Sequence, residues 1–558
     1  PTPTPLMTLF PYTTLFRSIY ESDGRLINSA QITGNVTDKE ELTLLETVEG
    51  FGRLVHSIGV SVETDRPEET AEFVFQMYGK KDLYGGGTNL TASLKCDGME
   101  HRIYLSDYRW TEDDHVPGQI KILFAAPERM GKVSVRLFLN DGYEAPPEEE
   151  DLVIDMHSEE YCGMISRSLL QLGNPYRIRK AIEKSKAGKE VTLAYIGGSI
   201  TQGAGAIPIH TECYAYKSFQ LFQNRFSTQN NVRFIKAGVG GTPSELGMIR
   251  FDRDVLREEE RPDIVVIEFA VNDEGDETKG VCYESLVRKV LKLPWKPAVV
   301  LLFSVFANDW NLQERLRPVG DLYDLPMVSI RDAVTPQFSL KCGEGRILSK
   351  NQFFYDIFHP NNIGHTIMAD CLQYLFECCD AAEPARVGTF VEGMTEEQIL
   401  SEILSGQAVF GADFVRIFLL VKKNSYVGAK IRVGSFTSTD IGLQSVEMDG
   451  NLTQTPEFPY NWMYDGSRLQ MPGFEMEITC KSLFLIFKDS GEMDVGKADV
   501  FVNDVYCMTA DPHKNNWLHC NAVLLFWETE SRSHKVRITV TEEDQNKKFT
   551  ILGFGYTI

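Results

Sequence analysis

The chain has 558 residues, a formal net charge of −23 and 43% hydrophobic residues, so it is too apolar to be a disordered chain. At about 100 to 200 residues per domain we expect about three domains, and the acidic balance excludes nucleic acid, whose phosphates need clustered Lys and Arg. The longest apolar runs are about half the length needed to cross a bilayer, which excludes a membrane span.

The first eighteen residues look artificial. The stretch "LFPYTTLFRS" resembles a translated sequencing-library adapter, so we interpret residues 1–18 as an adapter artefact and exclude them from fold prediction. The natural N-terminus and any signal peptide are then hidden from view. The eleven cysteines are odd in number and irregularly spaced, which indicates neither a disulfide framework nor a zinc site. A reducing, cytoplasmic setting is the expectation, and secretion stays open.

Short strands are predicted from about residue 25 to residue 140. Apolar and polar residues tend to alternate in segments such as "RLVHSIGVSVET" and "KVSVRLFLND", and turn formers such as "YGGGTN" separate them. Regular short strands with this punctuation are typical of an all-β sandwich. We therefore predict an N-terminal β-sandwich over residues 19–150, ending in the proline-rich acidic linker "DGYEAPPEEED".

Strands and helices alternate from about residue 160 to residue 382. Continuous apolar strands separated by amphipathic helices indicate a parallel sheet covered on both faces, so we predict an α/β domain over residues 151–385. Ligands bind beyond the carboxyl ends of the strands in such sheets. The predicted elements are, in order, the strand "VTLAYIGG", the helix "YAYKSFQLFQNRF", the strand "VRFIKAG", the helix "SELGMIRFDRDVL", the strand "DIVVIEFAV", the helix "YESLVRKVLKL", the strand "PAVVLLFSV", the weaker strand "LPMVSI" and the helix "NIGHTIMADCLQYLFECC".

The last region, residues 386–558, is again rich in strands. It begins with a short helix, "TEEQILSEIL", in which Thr395 and Gln398 form a capping pattern. Strand segments such as "SLFLIFKDS", "AVLLFWET", "HKVRITVTEE" and "FTILGFGYTI" follow. They predict a second, jelly-roll-like β-sandwich, which could bind carbohydrate.

Three strand ends in the α/β domain carry residues suited to acyl transfer. Gly198 and Ser199 follow the first strand, where a sharp turn leaves the serine hydroxyl at the edge of the sheet. Gly240 and Gly241 follow the second strand and offer backbone N–H groups without side chains, and Asn272 ends the third strand. The Ser199 N–H, a glycine N–H and the Asn272 amide, converging on one point, would form an oxyanion hole.

A nucleophilic serine also needs a base and an orienting carboxylate. The stretch "YDIFHPNNIGH" supplies both, because Asp356 and His359 are three residues apart in the loop before the last helix. This spacing lets the carboxylate contact one imidazole nitrogen while the other faces the serine. The residues occur in the order Ser, Gly, Asn, Asp-x-x-His, each at the end of a successive unit.

In this order and spacing, the α/β domain resembles the SGNH hydrolases, also called the GDSL esterase family, which have a flavodoxin-like sheet. The resemblance implies that Ser199 in "GGSIT" is the nucleophile and that Asp356 and His359 in "DIFHP" complete a catalytic triad. It implies that Gly241 in "GVGGT" and Asn272 in "AVND" are oxyanion-hole donors together with Ser199.

Two positions depart from the usual motifs of this family. Gly198 replaces the aspartate of "GDS", and Ala270 replaces the glycine of "GxND". Neither residue takes part in the chemistry, so the triad is retained. The departure at Gly198 leaves the shape of the nucleophile turn open.

The flanking sandwiches and the resemblance together point to a carbohydrate esterase. Multidomain enzymes of this kind often remove acetyl groups from hemicellulose or pectin fragments, so we expect a serine esterase acting on small acyl esters, chiefly acetyl, of oligosaccharides or polysaccharide fragments. This step is an analogy at the level of fold. A lipid esterase or thioesterase of the same family and a non-catalytic glycan-binding protein are the alternatives. The aromatic residues predicted in loops, which could contact sugar or pack between domains, are Tyr84, Trp110, Trp462, Tyr464 and Trp517.

The remaining candidates are weaker. Asn308 and Trp310 follow the fourth strand at the active-site edge and could bind substrate. The glycines after the first strand lack the spacing of a dinucleotide or P-loop motif. His359 and His365 have no third ligand nearby, so no metal is expected. The mechanism requires no cofactor, and the oligomeric state is left open.

Overall fold

Two compact units make up the computed structural model of the chain. One comprises residues 1–162, 306–309 and 334–364, and the other comprises residues 163–305, 310–333 and 365–558. The described residues are the strands Pro3–Pro5, Ile19–Tyr20 and Leu26–Ala30, and residues 44, 47–80, 87–126, 131–140, 151–340, 342–356, 358–382, 395–467, 472–515 and 517–558. The predicted linker at 141–150 and the predicted boundary at 385 lie outside them, so the domain limits stay predictions.

Two antiparallel sheets form the N-terminal part of the first unit. Strand order is β1-β9-β4-β7 in one sheet and β2-β3-β8-β5-β6 in the other. Their alternating buried residues share one core with the short helix α1. The strands are β1 (Pro3–Pro5), β2 (Ile19–Tyr20), β3 (Leu26–Ala30), β4 (Val55–Thr64), β5 (Thr70–Gly79), β6 (Asn89–Lys95), β7 (His101–Tyr104), β8 (Asp114–Leu123) and β9 (Gly131–Leu139), and α1 is Val48–Leu54. Within the excluded segment 1–18, only Pro3–Pro5 is described, and it pairs with β9.

A six-stranded sheet forms the centre of the second unit. Its order is β10-β15-β14-β13-β11-β12, with β10 antiparallel at one edge and the other five strands parallel. Strands β11, β13 and β14 are buried along their whole length, as expected for strands covered on both faces. The strands are β10 (Leu169–Gln171), β11 (Val191–Gly197), β12 (Val232–Gly238), β13 (Ile264–Glu268), β14 (Ala298–Phe303) and β15 (Met327–Ser329).

Helices connect these strands and confirm the predicted α/β class. The α-helices after α1 are α2 (Glu159–Ser166), α3 (Tyr176–Lys186), α4 (Ser199–Gln202), α5 (Ile209–Glu212), α6 (Tyr214–Phe226), α7 (Ser244–Phe251), α8 (Val281–Leu291), α9 (Gln313–Leu322), α10 (Ile330–Phe338), α11 (Lys350–Phe353), α12 (Asn362–Ala381) and α13 (Glu396–Ser405). A π-helical turn, Asp252–Leu256, follows α7, and 3-10 turns lie at Leu105–Asp107, Cys342–Glu344 and Glu542–Asp544.

The C-terminal region is built on one large antiparallel sheet. Its order is β16-β25-β21-β24-β22-β23, with β17 and β20 pairing beside β21 and β25, and β18 and β19 form a separate hairpin. The strands are β16 (Ile417–Leu420), β17 (Ala429–Arg432), β18 (Ser445–Glu447), β19 (Gln454–Pro456), β20 (Trp462–Tyr464), β21 (Phe474–Asp489), β22 (Ala498–Val502), β23 (Val505–Ala510), β24 (His519–Val540) and β25 (Phe549–Thr557).

The strand β21 faces two cores. Phe484 and Ile486 pack in the same core as α7 and α8 of the α/β part, whereas Leu483, Leu485 and Phe487 pack in a second core within the C-terminal region. Side chains alternate between the two faces of a strand, so one strand can serve both cores. The C-terminal sheet therefore covers the α/β part with one of its faces.

Three of the five aromatic residues predicted in loops lie elsewhere or are not described. Trp462 and Tyr464 belong to β20, where they are buried against the strands of the second core, so the prediction of loop positions was wrong. Tyr84 lies outside the described residues, and Trp110 packs against the N-terminal core. No helix among the described residues has both the length and the apolar composition that crossing a membrane demands.

Candidate active site

Ser199 begins a four-residue helix at the carboxyl end of a buried strand. Strand β11 ends at Gly197, and Gly198 forms the junction with φ −86° and ψ −144°. The N–H groups of Gly203 and Ala204 donate to the Ser199 carbonyl at 3.0 and 2.9 Å, which holds the turn tight. The half-buried Ser199 is thus presented at the edge where ligands bind in such sheets.

The Asn272 side chain lies close to the Gly198 Cα. A methyl group on the Gly198 Cα would lie 2.7 Å from the Asn272 Cγ and 2.8 Å from its Nδ2, well inside an ordinary contact of 3.4 Å. Any side chain at 198, including the aspartate of the usual motif, would therefore displace Asn272.

The second glycine loop lies directly against the nucleophile helix. Strand β12 ends at Gly238, where a methyl group would collide with the backbone of α4. A methyl group on Gly240 would lie 3.8 Å from the Ser199 Cβ. Gly241 has φ +70°, a left-handed conformation that glycine adopts without strain.

Asn272 lies in the turn after β13. Its own N–H donates to the Phe269 carbonyl at 3.0 Å, and the following Asp273 accepts a hydrogen bond from the Ser244 N–H at 2.7 Å. Because β12, β11 and β13 are neighbouring parallel strands, their carboxyl ends lie side by side. The structure therefore brings the three predicted oxyanion-hole residues, Ser199, Gly241 and Asn272, to one edge of the sheet.

Two donors at this edge have no acceptor among the described residues. In the described part of the chain, neither the Gly241 N–H nor the Asn272 Nδ2 donates to a protein acceptor, and the Asn272 Oδ1 is buried without a hydrogen bond. Polar groups in folded proteins are normally paired, and exceptions often mark functional positions. These donors are available to a bound oxygen atom.

Buried acids lie behind the Asn272 turn. Burial is the main cause that raises the pKa of Asp273 to about 8, and burial also raises the pKa of Glu245 to about 7. Asp276 contributes by repulsion and is itself paired with Arg315 at 2.6 Å. Asp273 is therefore protonated at neutral pH, which lowers the negative charge next to Asn272.

Asp356 and His359 form a tightly connected pair in the other compact unit. The His359 Nδ1 lies 2.8 Å from Oδ2 and 3.1 Å from Oδ1 of Asp356. The fully buried carboxylate also accepts the N–H groups of Phe358 at 2.6 Å and His359 at 2.8 Å. The loop is closed by the Tyr355 N–H, which donates to the His359 carbonyl at 2.8 Å.

This arrangement sets the tautomer of the imidazole. A carboxylate only accepts hydrogen bonds, so the Nδ1 of His359 carries the proton that Asp356 receives, and Nε2 is the basic atom. Asp356 and His359 belong to the first unit, whereas Ser199, Gly241 and Asn272 belong to the second. The structure thus brings the pair together and, separately, the three residues of the strand ends.

Arg250 binds backbone carbonyls at the ends of β11 and β12. It was not identified as a site residue from the sequence. It is fully buried, and its guanidinium donates to the carbonyls of Gly197 at 2.8 Å and Ala237 at 2.7 Å. Asp254 pairs with it at 3.1 Å. Burial opposes ionisation of Asp254, but Arg253 and Arg250 outweigh it and hold the pKa of that carboxyl below its usual value. Arg250 thus ties together the strands that carry the serine and the glycine loop.

The C-terminal region contributes an aromatic residue to the same edge. Trp517 lies so close to Gly241 that a methyl group there would collide with the indole ring. The Trp517 ring stacks on His519, with centroids 4.5 Å apart and planes at 26°. The His519 Nδ1 lies 3.1 Å from Oδ2 of the buried Asp489. Trp517, which was predicted in a loop, lies in a bend beside Gly241.

Asn308 and Trp310 lie in the turn after β14. Asn308 is exposed and Trp310 is half-buried, and the two belong to different compact units. Two residues after Trp310, the Leu312 N–H donates to the Ala270 carbonyl at 2.8 Å, beside the Asn272 turn. A role of Asn308 and Trp310 in substrate binding stays a prediction. Among the described side chains, no cluster of three His, Cys, Asp or Glu residues is arranged to hold a metal ion.

Comparison with known proteins finds a matching family model for part of the chain and a similar fold. Residues 195–367 match the sequence profile of the GDSL-like lipase/acylhydrolase family. The chain resembles the crystal structure of a two-domain esterase active on acetylated mannans, with 24% identity and a TM-score of 0.56 over 70% of this chain and 98% of that one. The structure of this esterase co-crystallized with mannopentaose is 23% identical, with a TM-score of 0.55 and the same coverage, 70% and 98%.

A further structural match covers only about a third of the chain, and the curated sequences give no match. Axe2, an acetylxylan esterase from Geobacillus stearothermophilus, is 18% identical with a TM-score of 0.26 over 34% of this chain and 96% of that one. No curated protein sequence matches the chain. The profile match spans the nucleophile turn, the glycine loop, the Asn272 turn and the Asp356–His359 pair. Residues 195–367 therefore resemble a GDSL-like lipase/acylhydrolase domain, and the chain shares the fold of the two-domain esterase.

Proposed function

We propose that this chain hydrolyses acetyl esters of oligosaccharides or polysaccharide fragments, with Ser199 as nucleophile. His359 is the general base, Asp356 orients it, and the oxyanion hole consists of the Ser199 N–H, the Gly241 N–H and the Asn272 Nδ2. The observation that carries the proposal is a pair of donors beside the nucleophile turn, Gly241 N–H and Asn272 Nδ2, for which the described residues offer no acceptor.

Acylation follows from these roles. His359 Nε2 removes the hydroxyl proton as the Ser199 Oγ attacks the ester carbonyl carbon, and the carbonyl oxygen becomes an oxyanion. Asp356 stabilises the imidazolium through Nδ1. When the tetrahedral intermediate collapses, the sugar hydroxyl leaves with the proton from His359, and the acyl group remains on Ser199. Each oxyanion-hole donor is worth about 2.7 to 4 kcal/mol in such reactions.

Deacylation repeats the chemistry with water. His359 takes a proton from water, whose oxygen attacks the acyl carbon, and a second oxyanion forms in the same hole. Collapse returns the proton to the Ser199 Oγ and releases the carboxylic acid. Ester and water are consumed, alcohol and acid are formed, and the residues return to their starting states.

The shape of the glycine loop supports a small acyl group. Trp517 packs on Gly241, and Gly198 leaves no room beyond Asn272, so the surroundings of the oxyanion donors are crowded. The substrate class comes from the two-domain esterase of similar fold, which is active on acetylated mannans. We therefore propose acetylated mannan oligosaccharides as the first substrates to test.

Acetate release tests the activity. Wild-type enzyme should release acetate from acetylated manno-oligosaccharides, and Ser199→Ala should reduce the rate by at least about 10⁴-fold, as in other triads. Ser405→Ala, which changes an exposed serine at the end of α13, is the matched control and should retain full activity. Near-normal turnover of Ser199→Ala would exclude the proposed nucleophile.

Acyl-chain preference tests the substrate class. A series of p-nitrophenyl esters from acetate to octanoate should show the highest kcat/KM for acetate. Equal or faster hydrolysis of the long chains would instead identify a lipid esterase or thioesterase. Labelling by a fluorophosphonate probe, lost in Ser199→Ala, should report the reactive serine in either case.

A further inference from the structure

The peptide between Gly240 and Gly241 has little conformational preference of its own. Glycine lacks a Cβ on both sides of this peptide, and Gly241 has φ +70°. Rotation of a glycine–glycine peptide about its flanking bonds meets little steric resistance. Something outside the loop must therefore hold the Gly241 N–H in one direction.

Two glutamine side chains bind the backbone of Gly240, one in the peptide before it and one in the Gly240–Gly241 peptide. Gln202, the last residue of α4, accepts the Gly240 N–H through Oε1 at 3.0 Å. Gln444, from the C-terminal region, donates through Nε2 to the Gly240 carbonyl at 2.9 Å. Both backbone polar groups of Gly240 are thus bound to side chains.

The second end of each amide fixes its orientation. Gln444 Oε1 accepts the Cys520 N–H at 2.9 Å, and Gln202 Nε2 donates to Glu447 Oε2 at 3.1 Å. A backbone N–H only donates and a carboxylate only accepts. Turning either amide over would break two hydrogen bonds, and Gln444 is almost wholly buried.

Peptide planarity links Gln444 to the oxyanion hole. The carbonyl of Gly240 and the N–H of Gly241 belong to one trans peptide and point in opposite directions. Gln444 holds the Gly240 carbonyl toward the C-terminal region. The Gly241 N–H therefore points away from that region. Trp517 packs on the Gly241 Cα and restricts the same peptide from a further side.

We infer that Gln444 is a positioning residue that aims the Gly241 N–H at the oxyanion. A residue of the C-terminal region thereby affects the kcat of the enzyme. The inference rests on the proposed function. Gln444 itself makes no step in the reaction. Its effect belongs to the transition state, where the donor is needed, and not to binding of the ester.

Two substitutions of Gln444 test this role in the full chain. Gln444→Glu keeps the acceptor for the Cys520 N–H but places a carboxylate oxygen against the Gly240 carbonyl. Gln444→Met fills a similar volume without either hydrogen bond. With p-nitrophenyl acetate, we expect kcat to fall about 10- to 100-fold in both, less than the 10²- to 10³-fold loss of a whole donor. KM should stay within about threefold.

Asn461→Asp is the control for a merely structural effect. Asn461 is fully buried in the same region, and its Nδ2 donates to the carbonyls of Asp440 at 3.0 Å and Phe458 at 3.1 Å without touching the Gly240 loop. This variant should lose thermal stability and keep kcat within about twofold. An equal fall of kcat in Asn461→Asp would overturn the inference.

The outcomes separate the inference from the proposed function. If Ser199→Ala is inactive while both Gln444 variants keep the wild-type kcat, the positioning role is wrong and the triad stands. If Ser199→Ala stays active, the proposed nucleophile itself fails. If Gln444→Glu does not fold, kcat of Gln444→Met decides, because its neutral side chain adds no charge to the buried position.

Discussion

Replacing Gly198 by alanine is the most direct test of the geometry around the nucleophile. The added methyl would lie 2.7 Å from the Asn272 Cγ, about 0.7 Å short of an ordinary 3.4 Å contact. The Asn272 amide must therefore move by a large fraction of an ångström or more. Hydrogen bonds of this type span about 2.7 to 3.2 Å, so such a movement takes the Nδ2 out of range of the oxyanion.

The expected magnitude follows from the loss of one donor. Removing a single oxyanion-hole donor typically costs 10²- to 10³-fold in kcat, or about 2.7 to 4 kcal/mol. Crowding a packed site costs about 1 to 3 kcal/mol of stability in addition. We expect Gly198→Ala to lose about 100-fold in kcat on p-nitrophenyl acetate, with a moderate fall in Tm. Gly198→Asp, which restores the usual motif, should lose at least as much.

Gly275→Ala provides the matched control. Gly275 is exposed in the loop after Asn272, and a methyl group there would touch no other residue. Its kcat and Tm should be those of the wild type. A Gly198→Ala enzyme that retains kcat within about twofold would show that Asn272 is not held as described, and the reasoning would be wrong.

Three further predictions concern residues around the site. Arg250→Met removes two bonds to strand-end carbonyls and part of the charge that balances buried Asp254, so the free energy of unfolding in urea should fall by about 3 to 5 kcal/mol; a loss below about 1 kcal/mol would contradict the clamp. Asp273 stays protonated in the folded chain up to about pH 8 but ionises near pH 4 when unfolded. The free energy of unfolding of the wild type should therefore fall between those pH values, by at most about 1.4 kcal/mol per pH unit relative to Asp273→Asn. Urea titrations of both proteins at pH 5 and pH 8 test this. If the free energy of unfolding changes equally in the two proteins between these pH values, the idea is wrong. Asp356→Asn should lower kcat about 10⁴-fold because a carboxamide favours the wrong tautomer of His359, and its Tm serves as the check on folding.

Periodic segments of the α/β part were predictable almost to the residue. The helix Tyr214–Phe226 and the strand Val232–Gly238 have the bounds expected from "YAYKSFQLFQNRF" and "VRFIKAG". The capping pattern of Thr395 is also confirmed, since its side chain accepts from the Gln398 N–H and the Gln398 side chain accepts in return. Neighbouring residues alone predict the bounds of an element where buried positions recur with a regular period or where a helix cap uses residues close in sequence.

The long strands of the C-terminal sheet were not predictable in this way. The polar run "ETESRS" reads as a break between two strands, yet β24 continues through it from His519 to Val540. The ladder to β21 shifts register at this place, between the pairs Cys480↔Arg532 and Ser482↔Trp527. Polar residues at such an irregularity remain extended because the flanking apolar residues pair on both sides.

The candidate site residues also fall into two groups, those that lie in short sequence motifs and those whose role depends on contacts between distant parts of the chain. Ser199, Asn272 and His359 are recognisable because each follows a strand or precedes a helix within a short motif. Gln444 has no such motif, and its role depends on a hydrogen bond to Gly240, which is 204 residues away in the chain. Arg250 left a weak signal, a charged residue inside the apolar helix "SELGMIRF", which only the buried carbonyls around it explain.

Contacts between the C-terminal region and the α/β part extend the argument beyond one glutamine. Asp449 accepts from the Lys236 N–H on β12 at 2.9 Å and pairs with Arg257, while Glu457 pairs with Arg253 next to the buried Asp254. These bonds meet the α/β part along β12, which leads into the glycine loop, and along the segment after α7, the helix that carries Arg250. One face of the C-terminal sheet also completes the apolar core around α7 and α8. The α/β part that carries the glycine loop is therefore held by both polar and apolar contacts from this region. A substitution in the C-terminal region that leaves all triad residues intact should therefore lower kcat by changing the orientation of the Gly240–Gly241 peptide, and not by moving Ser199.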